Sequence, residues 1–250
     1  LSKAASSLLI FISIDAFALE TTQIDDEIAS IQQDFNVQVH YTYDRDLFFP
    51  ASWKSTSNEM IAKQVELDEV ARLLPIIREF LSDHPLTVIH SDLEHIYVLA
   101  ELSFKGRAYG STYNQKSIYI TCKDVEFRYT DEFLAQRLHS EFSSILIHHH
   151  PFPSLQWTQI NPSDFRYSGT GFEVVHLPSR YDFSEHFCAD GFLLSYSRSS
   201  MENDFNMISS WLFTKKDALD DVSRRHSKIS QKQALAEQFY LSIFDQYRFD

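Results

Sequence analysis

Only 2 cysteines, 5 glycines and 7 prolines occur among the 250 residues. Two cysteines are too few for a cysteine-based zinc motif or a disulfide scaffold. Cys122 and Cys188 keep two readings, a single pair in an oxidising compartment or two buried thiols. Scarce glycine and proline exclude collagen-like and low-complexity classes. The chain holds no Gly-rich phosphate loop and no G-x-S-x-G turn. Positive charge is short as well, with 22 Lys and Arg against 35 Asp and Glu and a formal net charge of −13. Binding to a phosphate backbone draws on Lys and Arg that release counterions, so no nucleic acid is expected as a partner. The densest basic run, "SRRHSK" at 223–228, reads as a solvated loop or helix start. Long apolar runs are absent too, because Leu8 to Ile14 is too short to cross a bilayer. What remains is 44% hydrophobic and 23% charged, with 21 Phe and 12 Tyr. That composition predicts one globular domain with a ring-rich core.

The opening "LSKAASSLLIFISIDAFALE" combines Lys3, the apolar run and Ala16-Phe17-Ala18, a small-x-small pattern. It reads as a signal peptide over 1–18, followed by a single domain over 19–250. The expected location is therefore periplasmic or secreted, with no membrane span in the mature form. Asp15 interrupts the pattern and leaves a buried N-terminal helix as the alternative.

Ile24, Ile28, Ile31 and Phe35 recur at helical spacing, and Val37, Val39, Tyr41 and Tyr43 then alternate as in a strand. Residues 65–81 read as a helix kinked at Pro75 and ended by His84-Pro85. "LTVIH", "HIYVLAELSFKG", "RAYGSTY" and "KSIYITC" read as three or four strands of one sheet. A helix follows from the N-cap Thr130 to His150, where Pro151 stops it. Residues 151–198 read as long loops with one short helix after Asn161-Pro162, and "SSMENDFNMISSWLF" and "SKISQKQALAEQFYLSIFDQY" as the last two helices. The predicted class is α+β, a small mixed sheet with C-terminal helices.

Within the middle helix, "RLHSEFSSILIHHHPF" at 137–152 carries the chemistry of interest. Glu141 shares a stripe with Leu134, Leu138 and Ile145, which aims a carboxylate at the core. Such a group is costly to bury unless it is paired, protonated, hydrogen-bonded or near a metal. Arg137, one turn back, is the plain partner.

"IYVLAELSFKGRAYGSTYNQKSIYI", "LHSEFSSIL" and "GFLLSYSRSSMENDFNMISSWLF", within residues 90–214, together resemble the small gluzincin zinc-binding metallopeptidases, including the catalytic domain of the lethal-factor type. The resemblance implies a zincin-like fold: an edge strand, an active-site helix bearing HExxH, and a later helix that supplies a glutamate ligand. Two histidines at i and i+4 point the same way off a helix and bind zinc, while the intervening Glu activates a metal-bound water. Here the histidine positions fall on Ser140 and Ser144, the catalytic Glu on Glu141, the third ligand on Asn203 and the oxyanion tyrosine on Tyr196. Serine offers neither the charge of a carboxylate nor the basicity of imidazole, so the zinc motif is degenerate. Glu202 is a possible substitute ligand, although Ser199-x-x-Glu202 also reads as a capping box.

The expectation is therefore an inactive or impaired peptidase homologue, without a cofactor, that binds a peptide or protein along the edge strand near 107–121. One alternative is a working zinc peptidase that recruits His139, one histidine of the 148–150 triplet and Glu202 or Asp204, with Glu141 as general base. The other is a structural partner-binding protein. His139 lies about 100° round the helix from Ser140 and points away from a shared ligand direction. The triplet His148 to His150 reads mainly as a favourable helix C-terminus, or as a weak separate metal site with His186 or Asp182.

Overall fold

The computed structural model describes residues 21–55, 59–123, 127–169 and 183–249. The proposed leader over 1–18 and Asp182 lie outside the described residues. In chain order the elements are α1 (21–35), β1 (Gln38–His40), α2 (Arg45–Phe48), β2 (Ile61–Lys63), α3 (Leu67–Ser82), α4 (Leu86–Asp92) and β3 (His95–Leu99). Then follow β4 (Glu101–Phe104), β5 (Arg107–Ala108), β6 (Ser111–Asn114), β7 (Ser117–Thr121), α5 (Asp131–His149) and α6 (Ser154–Ile160). The last are α7 (Glu185–Cys188), α8 (Met201–Thr214), α9 (Lys216–Arg225) and α10 (Ser227–Ile243).

The α+β class is as the sequence predicts, but the strands divide between two sheets. One sheet has the order β1-β3-β7-β6, with β1, β3 and β7 parallel and β6 antiparallel at an edge. The other is the antiparallel β2-β4-β5. Period-two alternation explains why the first sheet is buried on both faces. Ile96, Val98, Ile118 and Ile120 enter the main core, whereas Leu99 and Tyr119 join Phe48, Phe49 and Leu102 in an aromatic cluster on the opposite face, with Tyr97 packed against it.

Three local readings are corrected. "LTVIH" is helical, because Pro85 sits at φ −58° and its carbonyl accepts from Val88 N and Ile89 N at 2.9 and 3.0 Å. A short apolar run cannot by itself distinguish a strand from a buried helix, and this one turns Val88, Ile89 and Asp92 inward at helical spacing. The short helix of the loop region, α6, comes before Asn161 rather than after it. The run "SRRHSK" spans the end of α9 and the start of α10, so a third C-terminal helix stands where two were expected.

α5 begins at its predicted cap, with Thr130 Oγ accepting from Phe133 N at 3.2 Å, and ends where His150 turns extended before Pro151. It crosses one face of the first sheet against β6 and β7 and packs on α3 and α8. α8 and α10 are joined by a fully buried ion pair, Lys232 Nζ to Asp204 Oδ2 at 2.6 Å, both side chains at 0% exposure. Trp157 Nε1 and Tyr167 OH donate to the same oxygen at 2.9 and 2.7 Å, and Lys232 also donates to Gly191 O at 2.8 Å. Gly191 has φ +95°, which favours glycine, and a Cβ there would meet Lys228 Cβ at 3.1 Å. Cys122 and Cys188 are both buried free thiols. Among the described residues no helix is long and apolar enough to cross a membrane.

Removing one partner of a buried pair strands the other charge. Lys232→Met is expected to cost about 3–5 kcal/mol in urea unfolding at pH 7. The cost should be smaller at pH 4, where a protonated Asp204 tolerates burial. An equal loss at both pH values would show that packing, not charge, dominates.

Candidate functional site

The site forms where α5 passes the edge strand β6. Ser111 and Tyr113 are two residues apart and share the β6 face turned to α5. Ser111 Oγ donates to Glu141 Oε1 at 2.6 Å, fastening the helix carboxyl to the edge strand. Burial pushes the Glu141 carboxyl up to about 7, against the opposing effects of the Ser111 bond and the Arg137 charge, and Glu202 adds a smaller upward push. The bond Glu141 makes is thus to Ser111, with Arg137 acting through its charge. Tyr113 has Glu202 and Ser144 within reach of its hydroxyl, and burial foremost, then the Glu202 charge, raises its pKa.

Ser140 and Ser144, one turn apart, lie at 2% and 1% exposure. Arg137 Nη2 donates to Ser140 Oγ at 3.2 Å, and Ser140 Oγ lies 3.5 Å from the carbonyl of Asn206 on α8. Asn206 Nδ2 donates to Ser144 Oγ at 2.7 Å.

The start of α8 corrects the capping assignment. Ser200 is the N-cap, accepting from Asn203 N at 3.0 Å, which moves the cap one residue on from Ser199 and leaves Glu202 outside that role. Asn203 turns back to Ser199 Oγ at 2.8 Å instead of joining the serines on α5. The residues of α8 that do reach the site, Glu202 and Asn206, are one helical turn apart; Asn203 lies about 100° round from Glu202. Tyr196 opens the short 3-10 turn Tyr196–Arg198, and its carbonyl accepts from Ser199 Oγ at 2.7 Å. Tyr113 lies beside Glu141 and Glu202. Asp204 belongs to the buried pair with Lys232.

The histidines serve other purposes. His139 Nδ1 lies 3.2 Å from His84 Nε2, His139 Nε2 lies 3.3 Å from Asp83 Oδ2, and His84 Nδ1 lies 2.5 Å from Tyr247 OH. Burial lowers both histidine pKa values. One neutral arrangement fits throughout: Tyr247 donates to His84, His84 to His139, and His139 to Asp83. His149 Nδ1 and His150 Nε2 meet the two oxygens of buried Asp92 at 2.8 and 3.1 Å, while His148 Nδ1 bonds Ser144 O at 2.7 Å. His186 stands on α7, beside the Phe187 ring.

The serine positions fit zinc poorly. Their hydroxyls replace imidazole donors, each is engaged by an N–H group, and one of those groups belongs to a guanidinium. Among the described residues no group of three or more His, Cys, Asp or Glu could hold a metal ion.

The fold is metallopeptidase-like. Its similarity is to a solved structure, a putative zinc-binding metallo-peptidase from Bacteroides caccae ATCC 43185, with a TM-score of 0.59 and 15% identity over 92% of this chain and 88% of that chain. At that identity the likeness shows the fold alone. No family model and no curated protein matches the chain.

Raising the Glu141 pKa in the folded state makes ionisation oppose folding. The stability associated with the protonated carboxyl is whole below the unfolded value near 4.5 and is lost as pH rises through about 7. Glu141→Gln should therefore be more stable than the wild type above pH 7, by up to about 3 kcal/mol. Chemical denaturation across pH should show the gap closing below about pH 5. A gap independent of pH would sink this account.

Proposed function

We propose that this chain is a catalytically impaired or inactive metallopeptidase homologue that binds an extended peptide. The observation that carries the reading is the carboxyl of Glu141 fixed to edge strand β6 through Ser111, next to Ser140 and Ser144 at the ligand positions implied by the gluzincin resemblance. Among the described residues β6 is the last strand on its side of the sheet, so a peptide can add to it through backbone hydrogen bonds that need no metal. Side chains on one face of the added strand would lie over Tyr113, Glu141 and Glu202. In this reading Glu141 and Tyr196 keep the family's catalytic positions without its activity, and Glu202 lines the cleft. An exported setting, from the leader-like residues 1–18, suits a peptide-binding role.

The alternative of a working zinc enzyme with substitute ligands loses support because His139 is engaged by His84 and Asp83, and Asp204 by Lys232.

A peptide array followed by calorimetry on the leading sequences tests the reading. The wild-type protein should bind extended peptides, EDTA should leave the affinity unchanged, and Glu141→Gln should change it by less than about twofold. Chelator-sensitive cleavage abolished in Glu141→Gln would restore the enzyme. Absence of any peptide binding would end this proposal.

A further inference from the structure

We infer that Arg137 holds the cationic place in this pocket and closes it to zinc even when both histidines are put back, an inference that rests on reading Ser140 and Ser144 as former ligand positions. Arg137 is only 5% exposed, and its guanidinium reaches both Ser140 Oγ at 3.2 Å and Met207 Sδ at 3.7 Å. It also lies over the Phe133 ring, 5.4 Å from the centroid. The cation is thus held from α5 and α8 alike, close to where an imidazole at position 140 would have to project. Asn206, also 5% exposed, closes the other half through its amide on Ser144.

Two effects follow from that placement. Arginine stays protonated at any pH the protein experiences, so an incoming divalent ion meets a fixed positive charge in a buried setting where screening is weak. Space is the second effect, since close-packed interiors do not accept added rings without displacing their neighbours. Histidine at 140 competes with the guanidinium for the same volume. Loss of two histidines' worth of ligand chemistry is therefore only part of the change, and the arginine is the part that restoration of the motif leaves in place. The charge also has a use in the metal-free pocket: it partly offsets the burial that pushes up the Glu141 carboxyl.

The experiment compares zinc uptake by the full chain as wild type, Ser140→His/Ser144→His, and the same pair with Arg137→Ala. Zinc is supplied alone, and binding is read by competition with a chromogenic chelator and by elemental mass spectrometry after dialysis, with circular dichroism to establish folding. The wild type should retain no stoichiometric zinc, and the triple variant should bind zinc about tenfold or more tightly than the double variant. Equal affinity of the double and triple variants overturns the inference, as does one tightly held zinc per wild-type chain. Should the double variant fail to fold, Ser144→His with and without Arg137→Ala poses the same comparison with one ring fewer, and equal affinity there is equally fatal. Peptide binding by the wild type is measured separately. Its failure removes the proposed function, whereas equal zinc affinities remove only the role of Arg137.

Discussion

The buried ion pair between Asp204 and Lys232 sets the geometry on which the rest of the molecule depends. Three donors from α6, the segment after it and α10 converge on one carboxylate oxygen of α8. A charge at 0% exposure has few other ways to be satisfied, so the rotation of α8 about its axis is strongly specified. Glu202 and Asn206 flank Asp204 by two residues on either side. With Asp204 turned to Lys232, those two side chains are carried toward α5, where Asn206 meets Ser144 and Glu202 comes near Tyr113. An element with no direct part in the cleft thus decides what the cleft contains.

The polar cluster on α5 has a consistent direction. Arg137 donates to Ser140, Asn206 donates to Ser144, and Ser111 donates to Glu141. Buried hydroxyls are tolerated when such partners exist and costly when they do not. The hydroxyls of Ser140 and Ser144 and the carboxyl of Glu141 are therefore each partnered, while the Asn206 amide oxygen is buried without a hydrogen-bond partner. The partners come from α5, α8 and β6, which joins the helix layer to the sheet edge.

Much of the architecture was legible in the sequence because strong local signals agreed with the tertiary result. Thr130, the acidic first turn and Pro151 bracket α5, and the Ile and Phe spacing of α1 buries Ile24, Ile31 and Phe35. "LTVIH" was not legible as a helix, because its apolar run lacks a period and Pro85 supplied the deciding constraint. The division into two sheets turns on Ala100, which separates β3 from β4 without any turn residue to announce it. Glu141 was visible as a carboxylate out of place. Its partner Ser111 and neighbour Tyr113 were not, since a contact across 30 residues leaves only the alternation Ser-x-Tyr as a trace. The cap at Ser200 was hidden by Ser199 beside it, and Asn203, the third-ligand position implied by the resemblance, bonds Ser199 while Asn206 meets Ser144.

The bond from Tyr247 to His84 joins residues 163 apart, and through His139 it reaches the helix that carries the serines. The interior beside α5 is thus completed by a segment remote in sequence from the sheet it packs behind. A contact across that separation repays its loop-closure entropy only once it has formed. Without residues 240–249 the Phe213 ring would lose the three rings that cover it and buried His84 its hydroxyl partner, so this closing segment is part of what keeps the interior beside α5 dry.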